Sequence, residues 1–279
     1  VAPSPFAGKS ALVTGASAGL GEEFALQLAA LGVAHLVLVA RRADRLEDLR
    51  TRLLALHPAL RIETTPADLG NDAAVTELLR AWNDAGYTPD ILINNAGFGD
   101  LGALETSDPA TIEQMLAVNV VALTRLTRWA IPGLLQKGAG WICNVGSTAG
   151  LLPLPSFAVY GATKAYVNSF TEAVRAELHG SGIQLLALCP GPVETEFGQV
   201  ASRANGRRQF APPAFLCVSR ERVVRETLRA LARGQGRLIP GLLVRSAMLV
   251  TEIVPRWILR GVFNLTSGEF RRERAERAA

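Results

Sequence analysis

The chain has 279 residues, of which 49% are hydrophobic and 19% charged, with a formal net charge of +4. That apolar share supports a large core and excludes general disorder, and a doubly wound α/β fold of this length is a single domain by default. The basic residues are scattered rather than gathered into a run, which gives nucleic-acid binding no support, and Lys is confined to Lys9, Lys137 and Lys164.

Residues 1–9 lack the charged start and apolar stretch of a secretory leader. Short apolar runs follow at 11–14, 36–40, 61–65, 91–94, 141–145, 184–188 and 237–239 and read as strands. Between them, helix-length segments at 20–31, 45–56, 72–85, 110–135 and 158–179 are long enough for right-handed crossovers. The alternation predicts an α/β fold: a single-domain, doubly wound parallel sheet of about seven strands, Rossmann-like, with helices on both faces.

Residues 196–218 break the pattern, collecting Gly198, Gly206, Pro212 and Pro213 around Phe197, Phe210 and Phe215, and are expected to form a substrate lid. A helix at 220–233 and the last strand precede a C-terminal extension, 242–279. Its apolar part, to Phe263, carries Arg245, Glu252, Pro255, Arg256 and Arg260, too many interruptions for a membrane span. It is expected to cover the pocket or a second subunit, as in a homodimer or homotetramer, in preference to lying on a membrane surface. Cys143, Cys189 and Cys217 show no pairing or ligand spacing, which fits a reducing cytoplasm, and His35, His57 and His179 stand near element ends without a nucleophile beside them, so zinc and Ser/His/Asp chemistry lack support.

The first strand runs into Thr14-Gly15-Ala16-Ser17-Ala18-Gly19-Leu20-Gly21. Glycines in a strand-to-helix turn let a pyrophosphate approach the backbone, where free N–H groups and the positive helix end favour its charge. At the end of the second strand, where an acidic residue would hold ribose hydroxyls, the chain has Ala40-Arg41-Arg42. Guanidinium groups bind a 2′-phosphate that a carboxylate would repel, so the expected cofactor is NADP(H). Tyr160 and Lys164 stand four residues apart on one helix face, where an ammonium and the positive nicotinamide can stabilise a phenolate. With so few Tyr and Lys in the chain, coincidence explains that spacing poorly. Ser147 follows the fifth strand at the carboxyl edge of the sheet, where such folds bind ligands.

The Gly-rich turn, Asn94-Asn95-Ala96-Gly97, Asn119, Ser147, Tyr160-x-x-x-Lys164 and Pro190-Gly191, in this order, resemble the short-chain dehydrogenase/reductase family over roughly residues 9–239. The resemblance implies that Ser147 polarises a carbonyl, that Tyr160 passes the proton, that Lys164 lowers the Tyr pKa and grips the nicotinamide ribose, and that Asn119 supports a water relay. It also implies that Asp68 and Leu69 border the adenine, that Asn95, Ala96 and Gly97 line the cofactor, and that Val193 and Thr195 contact the carboxamide. Gly146 stands where a second Ser is frequent and Ala18 where NADP-preferring members are often basic, leaving Arg41 and Arg42, with Ser17, to decide the cofactor. The Leu238-Ile239-Pro240-Gly241 run and its apolar tail resemble a bacterial subgroup of broad or unassigned specificity.

The function expected is hydride transfer between NADP(H) and an apolar ketone, aldehyde or secondary alcohol, with Leu151, Leu152, Pro153, Leu154, Pro155 and Phe157 as an apolar pocket wall. Two competing readings are a non-catalytic dinucleotide-binding sensor and a lipid-, steroid- or retinoid-type dehydrogenase on a membrane surface.

Overall fold

A computed structural model describes residues 4–202, 212–254, 257, 258 and 261. In chain order, β1 (Ser10–Thr14), α1 (Gly19–Ala30), β2 (His35–Ala40), α2 (Ala43–Leu56), β3 (Arg61–Pro66), α3 (Asp72–Asp84) and β4 (Ile91–Asn94) form the first half. The second half holds α4 (Pro109–Leu116), a π-helical stretch (Ala117–Ala122), α5 (Leu123–Lys137), β5 (Gly140–Val145), α6 (Ala158–Glu177) and β6 (Ile183–Leu188). After these come α7 (Phe197–Ala201), α8 (Arg220–Ala232), β7 (Arg237–Leu238) and α9 (Leu242–Ile253).

The strands form one 7-stranded sheet in the order β3-β2-β1-β4-β5-β6-β7, with every neighbouring pair parallel. The period-2 pleat divides their side chains between two cores. Ala11, Val13, Leu36, Leu38, Ile91, Ile93, Cys143 and Leu186 pack with Phe24 and Leu28 of α1, Leu46, Leu49 and Leu53 of α2, and Val224 and Leu228 of α8. Leu12, Val37, Val39, Leu92, Ile142 and Leu185 turn to the other face and meet Val75 and Trp82 of α3, Leu126, Ala130 and Leu134 of α5, and Val174 of α6. Strands buried on both faces explain why their sequences read as continuous apolar runs.

Three helices start on side chains that cap them. Asn71 accepts the Ala74 N–H at the head of α3, Asp108 accepts the Thr111 N–H ahead of Pro109 in α4, and Ser219 accepts the Arg222 N–H of α8. Helix α1 differs, because its N-cap is Ala18, which has no side-chain acceptor. Its first amides therefore keep their capacity to bind an anion.

Two boundaries depart from expectation. The last strand stops at Leu238, and the helix expected over 110–135 is α4 and α5 joined through a π-helical stretch that holds Asn119. Wider π turns inside a helix recur at functional sites because they shift one residue out of the regular ladder.

Candidate active site

The carboxyl ends of β1 to β6 border a cleft of about 470 Å³. Of the residues expected to bind the cofactor, it is lined by Gly15, Ser17, Gly19, Leu20, Arg41, Arg42, Asp68, Leu69, Asn95, Ala96, Gly97, Pro190, Gly191, Val193 and Thr195, together with Ser147, Tyr160 and Lys164. Sequence positions from 15 to 195 converge here because every strand of a parallel sheet ends on the same edge.

Two expected site residues lie behind the cleft wall. A Cβ on Gly21 would stand 2.2 Å from the Gly15 carbonyl oxygen, so Gly21 allows α1 to close against the turn rather than touching a ligand. Asn119 is fully buried: its Nδ2 donates to the Phe98 carbonyl at 2.9 Å and to Thr163 Oγ1 at 3.1 Å, and its Oδ1 accepts the Phe98 N–H at 3.1 Å. Both ends of its amide are thus occupied in fixing the loop that follows Gly97.

The turn after β1 could cradle a phosphate. Gly15 has φ +66, and a Cβ there would meet Asn95 Nδ2 at 2.8 Å, so the position needs glycine for both its backbone and its space. Asn95 Nδ2 in turn donates to the Thr14 carbonyl at 3.0 Å, locking the turn to the end of β4. On the rim, Arg42 Nε and Nη2 each lie 3.4 Å from Ser17 Oγ, and Arg42 Nη1 is 3.4 Å from Glu196 Oε2. Uncapped amides, a hydroxyl and exposed guanidinium groups are together a donor set for a phosphorylated dinucleotide.

At the other end of the cleft, Tyr160 and Lys164 project from α6 and Ser147 from the end of β5. Lys164 Nζ donates to the Val145 carbonyl at 2.7 Å and lies 5.8 Å from the centre of the Tyr160 ring. Burial lowers the Lys164 pKa to about 8. Burial also pushes the Tyr160 phenol up to about 12, and Ser147 pulls it the other way. Among the protein's own groups, Ser147 rather than Lys164 therefore opposes the cost of ionising Tyr160. Ser147 Oγ accepts the Ala149 N–H at 3.0 Å, which aims the hydroxyl.

Around Tyr160 the wall is apolar. The Phe157 and Phe197 rings lie 5.5 Å and 5.3 Å from the Tyr160 ring, and Phe98 and Leu154 complete this part of the lining. Of the wall expected at 151–157, only Leu154 and Phe157 line the cleft; Leu151 packs instead with Ile239, Val244 and Met248. Phe98 and Glu196 also line the cleft and belong to no sequence motif. In the segment expected to form a lid, α7 is tied down by the Leu101 N–H donating to the Ala201 carbonyl at 2.9 Å, while 203–211, with Arg203, Arg207 and Arg208, lie outside the described residues.

Residues 9–206 match the family model described as short chain dehydrogenase. The chain belongs to the short-chain dehydrogenase family. It is 36% identical over 206 residues to the NADP-dependent 3-hydroxy acid dehydrogenase YdfG of Salmonella typhi, covering 71% of this chain and 78% of the relative. Sulfoacetaldehyde reductase 2 of Chromohalobacter salexigens is 35% identical over 188 residues, covering 67% and 73%. A short-chain dehydrogenase from Sphingobium yanoikuyae in complex with NADPH superposes with a TM-score of 0.76 at 31% identity, over 88% of this chain and 92% of that one. The bulky-bulky ketone specific alcohol dehydrogenase from Comamonas testosteroni gives a TM-score of 0.74 at 28% identity, over 90% and 94%.

Proposed function

We propose that this short-chain dehydrogenase is an NADP(H)-dependent oxidoreductase that interconverts an apolar ketone or aldehyde and its alcohol. The observation that carries the reading is a buried Tyr160 with Ser147 beside it, in an apolar wall at one end of a cleft whose other end gathers phosphate-binding groups. The Gly15 turn and the head of α1 would hold the pyrophosphate, Arg41, Arg42 and Ser17 the 2′-phosphate, Asp68 and Leu69 the adenine side, and Lys164 the nicotinamide ribose. Asn95, Ala96, Gly97, Val193 and Thr195 complete the cofactor wall.

When bound, NADPH supplies the hydride that reaches the carbonyl carbon. Ser147 then orients the carbonyl oxygen, and Tyr160 gives it the proton. A phenol held near 12 is protonated at neutral pH and so is ready to donate, whereas alcohol oxidation requires the phenolate and speeds up as pH rises. Asn119 keeps the Phe98 backbone against the reacting end.

The charged lining residues other than Lys164 gather on the cofactor side: Arg41, Arg42 and Asp68 follow β2 and β3, and Glu196 pairs with Arg42. The described wall around Tyr160 is built from Phe98, Leu154, Phe157 and Phe197, which supports an apolar substrate. A non-catalytic sensor would not require Ser147, Tyr160 and Lys164 to converge in one cleft.

The test is NADPH consumption with acetophenone-type ketones, aldehydes and 3-oxo acids, alongside Tyr160→Phe. We expect the neutral aryl ketones to turn over fastest, and the Phe variant to bind NADPH while losing activity. Retention of more than about a hundredth of the rate would rule out the proton-transfer role, since that is the low end of general acid/base contributions. A clear preference for the 3-oxo acids would overturn the apolar substrate.

A further inference from the structure

Helix α6 carries a third polar side chain on the stripe that bears Tyr160 and Lys164. Asn168 follows Lys164 by four residues, so the three stand one above another toward the sheet edge. Asn168 is 6% exposed. Its Nδ2 donates to the Ser147 carbonyl at 3.1 Å, and its Oδ1 accepts the Cys189 thiol at 3.2 Å. One amide therefore ties α6 to the chain leaving β5 and to the chain leaving β6.

The neighbouring glycine is shaped to that amide. A Cβ on Gly146 would lie 1.9 Å from Asn168 Oδ1, far inside any real contact, so a side chain at 146 and the amide at 168 exclude each other. This accounts for the departure at 146, where a second Ser is frequent in the family. Beyond the carbonyl, the Thr148 N–H donates to the Pro190 carbonyl at 3.0 Å, and Ser147 Oγ accepts the Ala149 N–H at 3.0 Å. The Ser147 peptide is thus held from α6 on one side and from the Pro190 turn on the other.

We propose that Asn168 is a positioning residue: by holding the Ser147 peptide against α6 it keeps the Ser147 hydroxyl in place beside the Tyr160 phenol, and Gly146 is its required counterpart. The inference rests on the reading of Ser147 and Tyr160 given above. A buried amide serving packing alone would cost stability and leave the chemistry unchanged. Positioning makes a different prediction, because Ser147 draws the Tyr160 phenol toward ionisation. With Ser147 displaced, the phenol rises further and the pH limb of alcohol oxidation moves upward.

The experiment is oxidation of 1-phenylethanol with NADP+ across the alkaline range, for the intact enzyme, Asn168→Leu, Ser147→Ala and Tyr160→Phe. Leucine keeps the branched shape of asparagine and removes both hydrogen bonds. We expect Asn168→Leu to lower kcat by about ten- to a hundred-fold, the scale of a small misplacement of a reacting group, with the KM for NADP+ unchanged and the limb shifted upward. Gly146→Ala alone should be unstable, and Gly146→Ala with Asn168→Ala should recover the melting temperature while keeping the shifted limb. That double variant carries the same readout if Asn168→Leu does not fold. Activity lost in Tyr160→Phe but retained in Asn168→Leu, with the wild-type limb, would overturn this proposal alone. Activity retained in Tyr160→Phe would overturn the reading of the site and this proposal with it.

Discussion

Lys164 is the residue whose burial has the clearest consequence for stability. Its folded pKa, about 8, lies below the ordinary 10.5. Through the window between those values the unfolded chain holds a proton that the folded chain has released, so stability rises with pH across it. Below the window both states are protonated, and the cost of burying the ammonium is fully present. Replacing Lys164 with Met removes the titration, so the stability of the wild type relative to Lys164→Met should increase from about pH 8 toward 10.5 in denaturant titrations. A flat or falling difference would show that the ammonium is not desolvated as described. At this scale Tyr160 and Lys164 are legible from their spacing, and Asn168 was equally available at the next step of the same period. A lone Asn within a helix carries no signal until the chain that it touches, 146–147 and 189, is known.

At the scale of elements, we propose that the β2 to α2 turn decides the cofactor. Arg42 has two competitors for its guanidinium, the Ser17 hydroxyl and the Glu196 carboxylate, and all three are exposed enough that their pairing is weak. A 2′-phosphate carries more charge and more acceptors than either. Replacing both Arg41 and Arg42 with Ala should therefore weaken NADPH binding by about 1.5–3 kcal/mol, the scale of charge-assisted hydrogen bonds, while NADH binding changes little. Equal losses for the two cofactors by titration would assign the arginines to general attraction instead. The turn motif itself could be read from sequence, since strand, glycines and helix are contiguous. The π-helical stretch around Asn119 could not, because an apolar helix pattern does not record one extra residue in a turn, and the stapling of Asn119 to Phe98 joins elements distant in sequence.

Across the whole molecule, the C-terminal extension is where two surfaces meet. Val244 and Met248 of α9 pack with Ile239, Cys189 and Leu151, and a Cβ on Gly191 would lie 2.9 Å from Val244 Cγ1. One face of α9 thus supports the Pro190-Gly191 turn of the cleft wall. Leu242, Leu243, Leu249 and Val250 on the opposite side are exposed, as is Trp257, while no described helix is long and apolar enough to cross a membrane. We propose that a second subunit covers that face, in a homodimer or homotetramer. Ending the chain at Gly241 should lower stability by about 2–5 kcal/mol, the scale of emptying one large core site, and weaken cofactor binding. The intact protein should fail to float with liposomes. Co-flotation, with a soluble and active truncated form, would favour the membrane-surface dehydrogenase instead.

The sequence alone was enough for the α/β class, the parallel sheet and the order of its strands' supporting helices, because hydrophobic period and turn chemistry are local properties. The proposed reactive pair and phosphate-binding turn are also legible there, because the residues of each lie within a few positions of one another. What only the tertiary structure decided are the contacts between strand ends: Asn119 on Phe98, Glu196 on Arg42, Asn168 on Ser147 and Cys189, and the division of 151–157 between the cleft and α9. A parallel sheet brings every strand's carboxyl end to one edge, and which loops then touch depends on crossover lengths and packing angles that no local pattern encodes.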